Sequence, residues 1–147
     1  MSLAIVYTRA ALGIEAPLIT VEVHLSNGLP GLTMVGLPET TVKEARDRVR
    51  SALINSGYAF PAKKITINLA PADLPKEGGR YDLPIALALL VASEQLNTTR
   101  LNQYEFVGEL ALTGGLRGVP GAIPSAMEAI KAGRRIVVSS DNAAEVG

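Results

Sequence analysis

The sequence predicts an α+β fold, a two-layer sandwich in which helices cover one mixed sheet. Three strand-like segments come before the first helix, and strands and helices alternate after it, in the order βββ-α-β-α-β-α-β. This mixed order favours a mixed sheet over a doubly wound parallel one. Hydrophobic residues make up 48% and charged residues 19% of the 147 residues, which is typical of one globular domain.

The N-terminal third contains the first three predicted strands. Residues 4–8 (AIVYT) predict the first strand. Residues 18–26 (LITVEVHLS) alternate clearly between apolar and polar from Ile19 onward, which predicts a strand with one buried and one wet face. After the turn SNGLPG, residues 32–37 (LTMVGL) predict a third strand that completes an antiparallel group.

The first helix is predicted within PETTVKEARDRVRSALINSG, residues 38–57. Thr41 and Glu44 fit a capping box at its start, and Gly57 fits a stop at its end. Apolar residues recur at spacings of three or four, and charged residues occupy the other side. The pattern predicts an amphipathic helix that lies on the sheet with a charged outer face.

The second helix is predicted from Leu83 to about Gln95, after a strand at residues 64–70 (KITINLA). Asp82 is a good N-cap, and Pro84 fits the first turn. Because this helix is apolar on nearly every side, we expect it to be the buried central helix.

The last third predicts one more helix between two strands, and then a further helix start. The segments in order are YEFVGELAL (strand), IPSAMEAIKAG (helix, ended by Gly133), RRIVVSS (strand) and SDNAAEVG (the first turn of a helix). The final helix start suggests that the chain continues in a longer protein.

Composition excludes several classes of function. The chain has 0 cysteines, so disulfides and thiolate chemistry are excluded. Its formal net charge of +0 provides no general attraction to nucleic acid or membranes. We recognise neither a signal peptide nor a membrane-spanning run, and therefore expect a cytoplasmic protein without a membrane partner.

Catalytic and metal-binding patterns are mostly missing. No phosphate-binding P-loop occurs, because no Lys follows a Gly. Gly78-Gly79-Arg80 could bind an anion through backbone N–H groups or could simply be a turn that starts a helix. His24 is interpreted as a surface residue. Asp73, Glu77 and Asp82 could bind Mg²⁺ weakly, although such residues more often cap and solubilise.

Three basic residues of the first helix share one face. Lys43, Arg46 and Arg50 could contact DNA phosphates or an acidic partner. The interleaved Glu39, Glu44 and Asp47 leave intrahelical ion pairs as the alternative. The pairs Lys63-Lys64 and Arg134-Arg135 are interpreted as ordinary surface charges.

Four long segments carry a resemblance to a known family: VEVHLSNGLPG, VGLPETTVKEARDRVRSALINSG, INLAPADLPKEGGRYDLPIALALL and GELALTGGLRGV. Together they closely resemble the N-terminal domain of the ComM/YifB family, whose members are also called Mg-chelatase-like. The resemblance implies an AAA+ ATPase module further along the chain, with ATP and Mg²⁺ as its cofactors. It also implies a hexameric motor that drives DNA branch migration during natural transformation and recombination. The domain itself is expected to resemble the Lon proteolytic domain, the RadA C-terminal domain and GHMP kinases.

The Lon resemblance identifies two positions to inspect. The Lon Ser nucleophile falls on Arg80, and the Lon Lys falls on Ile123, with Ser125 two residues further on. Arg is always protonated and cannot attack, and Ile cannot accept a proton, so both members of the Ser–Lys dyad are missing. The expectation is a non-catalytic domain without a cofactor or metal of its own, serving assembly, DNA contact or coupling. The alternatives are a Lon-like hydrolase with displaced residues, a Mg-chelatase-type subunit and a GHMP-type kinase.

Overall fold

A computed structural model describes residues 2–74, 76, 78–97 and 99–142 of the chain. The strands are β1 (Leu3–Arg9), β2 (Leu18–Ser26), β3 (Gly31–Val35), β4 (Lys64–Ala70), β5 (Tyr104–Phe106), β6 (Glu109–Leu110), β7 (Leu116–Arg117) and β8 (Arg135–Val137). The helices are α1 (Glu39–Asn55), α2 (Asp82–Ala92) and α3 (Ala122–Lys131). The architecture confirms the predicted α+β class.

Six strands form one mixed sheet in the order β3-β4-β2-β1-β5-β8. β2 is antiparallel to both β1 and β4, whereas the pairs β3–β4, β1–β5 and β5–β8 are parallel. The prediction that β3 completes an antiparallel group was therefore wrong. The chain returns from β3 to β4 through α1, and a helical crossover of this kind makes the two strands parallel and places β4 next to β2.

One face of the sheet forms the main core. The alternation of β2 places Ile19, Val21, Val23 and Leu25 on this face, where they are at most 4% exposed. Helix α2 crosses β1 and β2, and α1 packs against α2. The prediction of a buried central helix is confirmed, since Ile85, Ala88 and Leu89 are almost inaccessible to solvent. The helix ends at Ala92 rather than Gln95, because Glu94 adopts a left-handed backbone with a φ of 62°.

Helix α3 lies on the opposite side of the sheet, over the end formed by β1, β5 and β8. Side chains alternate along β1, so Arg9 points away from the face that carries Ala4 and Val6. The Arg9 Nη2 atom donates to the backbone oxygen of Glu128 in α3, at 3.4 Å. Part of the sheet is therefore covered on both sides, and polar side chains are enclosed under α3.

The predicted N-terminal caps of the first two helices were wrong, whereas the predicted stop at Gly57 is confirmed by its left-handed backbone just after α1, with a φ of 88°. Helix α1 begins at Glu39 after Pro38, which places Thr41 inside the helix, and no side chain caps it. Asp82 is the first residue of α2, and its side chain makes no cap hydrogen bond. Its carboxylate instead bonds to Arg48 of α1 and to the backbone of Leu110, so a tertiary contact replaces the local one.

The predicted strand YEFVGELAL is divided into β5 and β6. Gly108 lies at the break, where its N–H donates to the Arg80 oxygen at 3.0 Å and its oxygen accepts from the Leu83 N–H at 3.1 Å. A side chain at Gly108 would collide with Leu116, because an added Cβ would lie 2.4 Å from that residue. The break ties the start of α2 to the β6–β7 pair. Of the predicted C-terminal helix start, residues 143–147 lie outside the described residues.

Candidate functional site

A glycine-rich cleft of about 670 Å³ opens where α2 begins. Its walls come from the turn after β1, the turn before α2 and the segment before α3. The polar side chains that line it belong to Arg80, Tyr81 and Glu109. Glu109 lies so close to Gly79 that a Cβ added there would be 2.2 Å from its Oε1 atom. Only glycine allows the turn and this carboxylate to approach so closely.

Arg80 is almost fully buried in the wall of this cleft, at 5% exposure. Its Nε atom donates to the backbone oxygen of Arg9 at 3.0 Å, and its Nη1 atom donates to the backbone oxygen of Pro120. Its Nη2 atom donates to Ser125 Oγ at 3.1 Å. Burial lowers the pKa of Arg80 below its ordinary value. Because every guanidinium nitrogen has a protein acceptor, Arg80 joins β1, α2 and α3.

Ser125, rather than Ile123, is the residue of α3 that faces Arg80. Ile123 is 47% exposed, whereas Ser125 is fully buried. An α-helix turns by about 100° per residue, so two positions two residues apart point in very different directions. Among the described hydrogen bonds, none joins Ser125 Oγ to a histidine, lysine or carboxylate that could take its proton. The described cleft thus shows no activated nucleophile of the Ser–Lys kind.

The turn before α2 was predicted to be either an anion site or a plain turn. The Asp82 N–H donates to the Gly79 oxygen at 3.0 Å, which is the hydrogen bond of a turn that starts a helix. Among the described residues, no group of three or more His, Cys, Asp or Glu could hold a metal ion. Of the suggested Mg²⁺ ligands, Asp82 forms an ion pair with Arg48, and Glu77 lies outside the described residues.

A second set of buried charges lies under α3. Glu105 is fully buried and accepts hydrogen bonds from Arg9 Nε at 2.7 Å, Arg9 Nη2 at 2.9 Å and Arg134 Nε at 2.9 Å. Arg134 also lies 4.3 Å from the centre of the Tyr7 ring. The interpretation of Arg134 as an ordinary surface charge was wrong, because β8 packs beside β5 and brings it to Glu105.

The Asp82–Arg48 ion pair holds α1, α2 and β6 together. Arg48 Nε donates to Asp82 Oδ2 at 2.6 Å, and the Leu110 N–H donates to the same oxygen at 3.1 Å. Burial raises the pKa of Asp82 from 3.8 to about 6, although these two hydrogen bonds act to lower it. The hydrogen bond to Asp82 in turn raises the pKa of Arg48.

A second cleft, of about 420 Å³, lies between α1 and the ends of β3 and β4; we call it the basic cleft. It is lined by Pro30, Gly31, Leu32, Arg46, Arg50, Phe60, Pro61, Ala62, Lys63 and Ile65. Three of these residues are basic and none is acidic.

The basic side chains of this cleft have weak protein partners. Arg46 lies 3.6 Å from the carboxylate of its neighbour Asp47, and both side chains are substantially exposed. Arg50 lies 6.0 Å from the centre of the Phe60 ring, and Lys63 donates to Asn27 at 3.1 Å.

The structure brings two of the three predicted partner-face residues together at the basic cleft, Arg46 and Arg50. Lys43 is on the same helix but does not line the cleft. Lys63 was interpreted as an ordinary surface charge, yet it lines the cleft beside the two arginines. The only sequence signal that Lys63 contributes to the basic cleft was the Lys63-Lys64 pair next to a strand.

Two further predictions concern single features. His24 is exposed on the wet side of β2, which confirms it as a surface residue. None of the helices in the described part of the chain is long and apolar enough to cross a lipid bilayer.

Comparison with known proteins identifies the family. The family model "Subunit ChlI of Mg-chelatase" matches residues 21–142, and the chain belongs to this family. The chain is 82% identical to the YifB protein of Salmonella typhimurium and 80% identical to that of Escherichia coli, in both cases over all 147 residues. It is 65% identical over 145 residues to the competence protein ComM of Haemophilus influenzae. The resemblance to ComM and YifB seen in the sequence is confirmed. The chain spans 28 to 29% of the length of these relatives.

Proposed function

We propose that this chain is a non-catalytic module of a ComM/YifB-type AAA+ ATPase that acts on DNA in the cytoplasm. The observation that carries the non-catalytic part is Arg80, which is buried and hydrogen-bonded at the position where a Lon-type enzyme would have its nucleophile. ATP and Mg²⁺ are bound by an ATPase module outside these 147 residues, and that module assembles the protein into a hexamer.

Within that motor, the chain contacts DNA through the positive face of α1. Arg46 and Arg50 line a cleft that has no acidic residue among those lining it, and the exposed Asp47 carboxylate, 3.6 Å from Arg46, is the weak partner that a phosphate would replace. The Haemophilus influenzae relative is named a competence protein, which supports a role in natural transformation.

A Mg-chelatase-type subunit is the second candidate, because the matching family model carries that description. In the described residues, no cluster of His, Cys, Asp or Glu is suited to deliver a metal ion. The DNA-motor function is therefore preferred for this part of the protein. The Lon-like hydrolase is not preferred, since Arg80 cannot act as a nucleophile.

Charge reversal in the full-length protein tests the DNA contact. We expect Arg46→Glu with Arg50→Glu to weaken binding of labelled single-stranded and forked DNA by at least about tenfold at low salt, and to flatten the salt dependence. Arg117→Glu with Arg135→Glu is the matched control, because it makes the same charge change at two exposed sites elsewhere. If the two double variants lose equal DNA affinity, net charge alone explains the effect, and this would contradict a specific contact.

A peptidase assay tests the non-catalytic assignment separately. The 147-residue chain and the full-length protein are expected to release no fluorophore from peptide substrates above the buffer rate. Turnover that disappears in Ser125→Ala would contradict the assignment.

A further inference from the structure

We propose that the basic cleft binds single-stranded nucleic acid, with a phosphate between Arg46 and Lys63 and the adjoining base stacked on Phe60. This inference rests on the proposed function and specifies the ligand of the same site. Four side chains carry it, and they come from α1 and from the loop before β4: Arg46, Arg50, Phe60 and Lys63.

The charges of the cleft favour a phosphate. The chain has a formal net charge of +0, yet this cleft has three basic and no acidic residues among those that line it. The Arg46–Asp47 contact of 3.6 Å is between exposed side chains, and such pairs contribute little to stability. A phosphate that binds Arg46 in a bidentate way therefore displaces only a weak partner.

Phe60 distinguishes a nucleic acid from a simple anion. Its ring is partly buried against the main core, which fixes its position, and it also lines the cleft. The Arg50 guanidinium lies 6.0 Å from the ring centre. Aromatic rings beside basic side chains are a common platform on which the bases of single strands stack.

Base stacking on Phe60 favours a single strand over a duplex as the ligand. In a duplex the base faces are already stacked on each other, so Phe60 cannot reach one unless the strand is unpaired. The volume of about 420 Å³ falls within the range of about 300–1,000 Å³ that is typical of small-ligand clefts, and this suits one nucleotide unit. Gly31 leaves the cleft open, because a Cβ added there would meet nothing within 4 Å.

Three oligonucleotides test the proposal on the 147-residue chain, which has its own hydrophobic core. These are fluorescent oligo-dT, an abasic strand of the same length and a duplex, all at low salt. We expect oligo-dT to bind at least about fivefold more tightly than either of the others. Phe60→Leu should remove the preference over the abasic strand while leaving abasic binding unchanged. Arg46→Glu should weaken binding of all three.

A neutral substitution tests whether oligo-dT binding depends on access to the cleft itself and not only on its positive charge. Gly31→Leu places an apolar side chain at the cleft without changing any charge, and is expected to weaken oligo-dT binding about as much as Phe60→Leu. Thermal unfolding of each variant checks that the fold is retained.

The outcomes separate this inference from the proposed function. If Arg46→Glu weakens all three ligands but oligo-dT and the abasic strand bind equally, base stacking is overturned and DNA contact stands. If the wild-type chain and the full-length protein bind no nucleic acid at low salt, both are overturned. Binding of poly-glutamate in place of oligo-dT would also overturn this inference and indicate an acidic protein partner.

Discussion

The glycine-rich cleft and the basic cleft both contain arginine, but they use it in opposite ways. In the glycine-rich cleft, Arg80 is 5% exposed and all three of its nitrogens donate to protein oxygens. In the basic cleft, Arg46 has one long contact to its neighbour Asp47, and Arg50 has a ring contact at 6.0 Å. The first arginine is therefore part of the structure, whereas the other two are available for a ligand.

This difference shows that cleft size alone does not identify a binding site. The glycine-rich cleft is the larger, at about 670 Å³ against about 420 Å³. Its arginine, Arg80, nevertheless already donates hydrogen bonds to protein oxygens from all three guanidinium nitrogens. A ligand gains little from donors that already have good acceptors, because binding only exchanges one hydrogen bond for another. The smaller cleft offers incompletely paired charge, which is what an anionic polymer requires.

The largest expected effect concerns the buried charges next to the glycine-rich cleft. Glu105→Ala should lower the free energy of unfolding by about 3–5 kcal/mol, because it leaves Arg9 buried without its carboxylate. Urea denaturation measures this change. Glu128→Ala is the control, since it removes only an exposed ion pair with Lys131 and should cost less than about 1 kcal/mol. Equal losses would contradict the structural role of Glu105.

Removing Arg80 should have the next largest effect. Arg80→Ala leaves three acceptors without their donor and should lower the free energy of unfolding by about 2–4 kcal/mol. Affinity of the folded protein for oligo-dT should not change, because Arg80 is not among the residues that line the basic cleft. A variant that keeps its stability but loses DNA binding would reverse the roles assigned to the two clefts.

The raised pKa of Asp82 predicts that the free energy of unfolding depends on pH. Its pKa in the folded state is about 6, above the ordinary 3.8, so the folded state holds a proton that the unfolded state has released. Stability should thus fall as the pH rises through about 6. Relative to Asp82→Asn, which does not titrate, the wild type should lose about 1 kcal/mol between about pH 5 and 7.5. A constant difference in urea denaturation would show that the ion pair with Arg48 stays ionised throughout.

The smallest expected effect on stability is at the basic cleft. Arg50→Ala should change the free energy of unfolding by less than about 0.5 kcal/mol, because Arg50 is exposed and substitutions at such positions are usually mild. The same variant should weaken oligo-dT binding measurably. A large loss of stability would show that the Arg50–Phe60 contact is structural and would make the two clefts alike.

Much of the fold could be predicted from local patterns. The clear alternation of residues 18–26 gave β2 and its buried face, and the uniformly apolar run after Asp82 gave the central helix. The caps were wrong at Thr41 and Asp82, because local spacing does not show which distant group competes for a side chain. The order of the strands in the sheet could not be predicted either, because alternation shows which face of a strand is buried but not which strands lie next to each other.

The candidate sites were predicted only in part. Arg46 and Arg50 were recognised because helical spacing is a local property that places them on one face. Lys63 and Phe60 were missed as members of the same cleft, since the β3–α1–β4 crossover alone brings their loop to α1. Ser125 was noted only as a neighbour of Ile123, and its contact with Arg80 depends on how α3 packs.

The sequence by itself determined the α+β class and the central helix, because these depend on residue type and short-range periodicity. It also carried the resemblance to the ComM/YifB family, which depends on the match of several long segments. Only the tertiary structure decided which charges are buried and which are free. That decision separates Arg80 from Arg50, and it depends on contacts such as Arg9–Glu105 between residues 96 positions apart. Chemically identical side chains differ in function here because burial and available acceptors, rather than residue type, set what a guanidinium can bind.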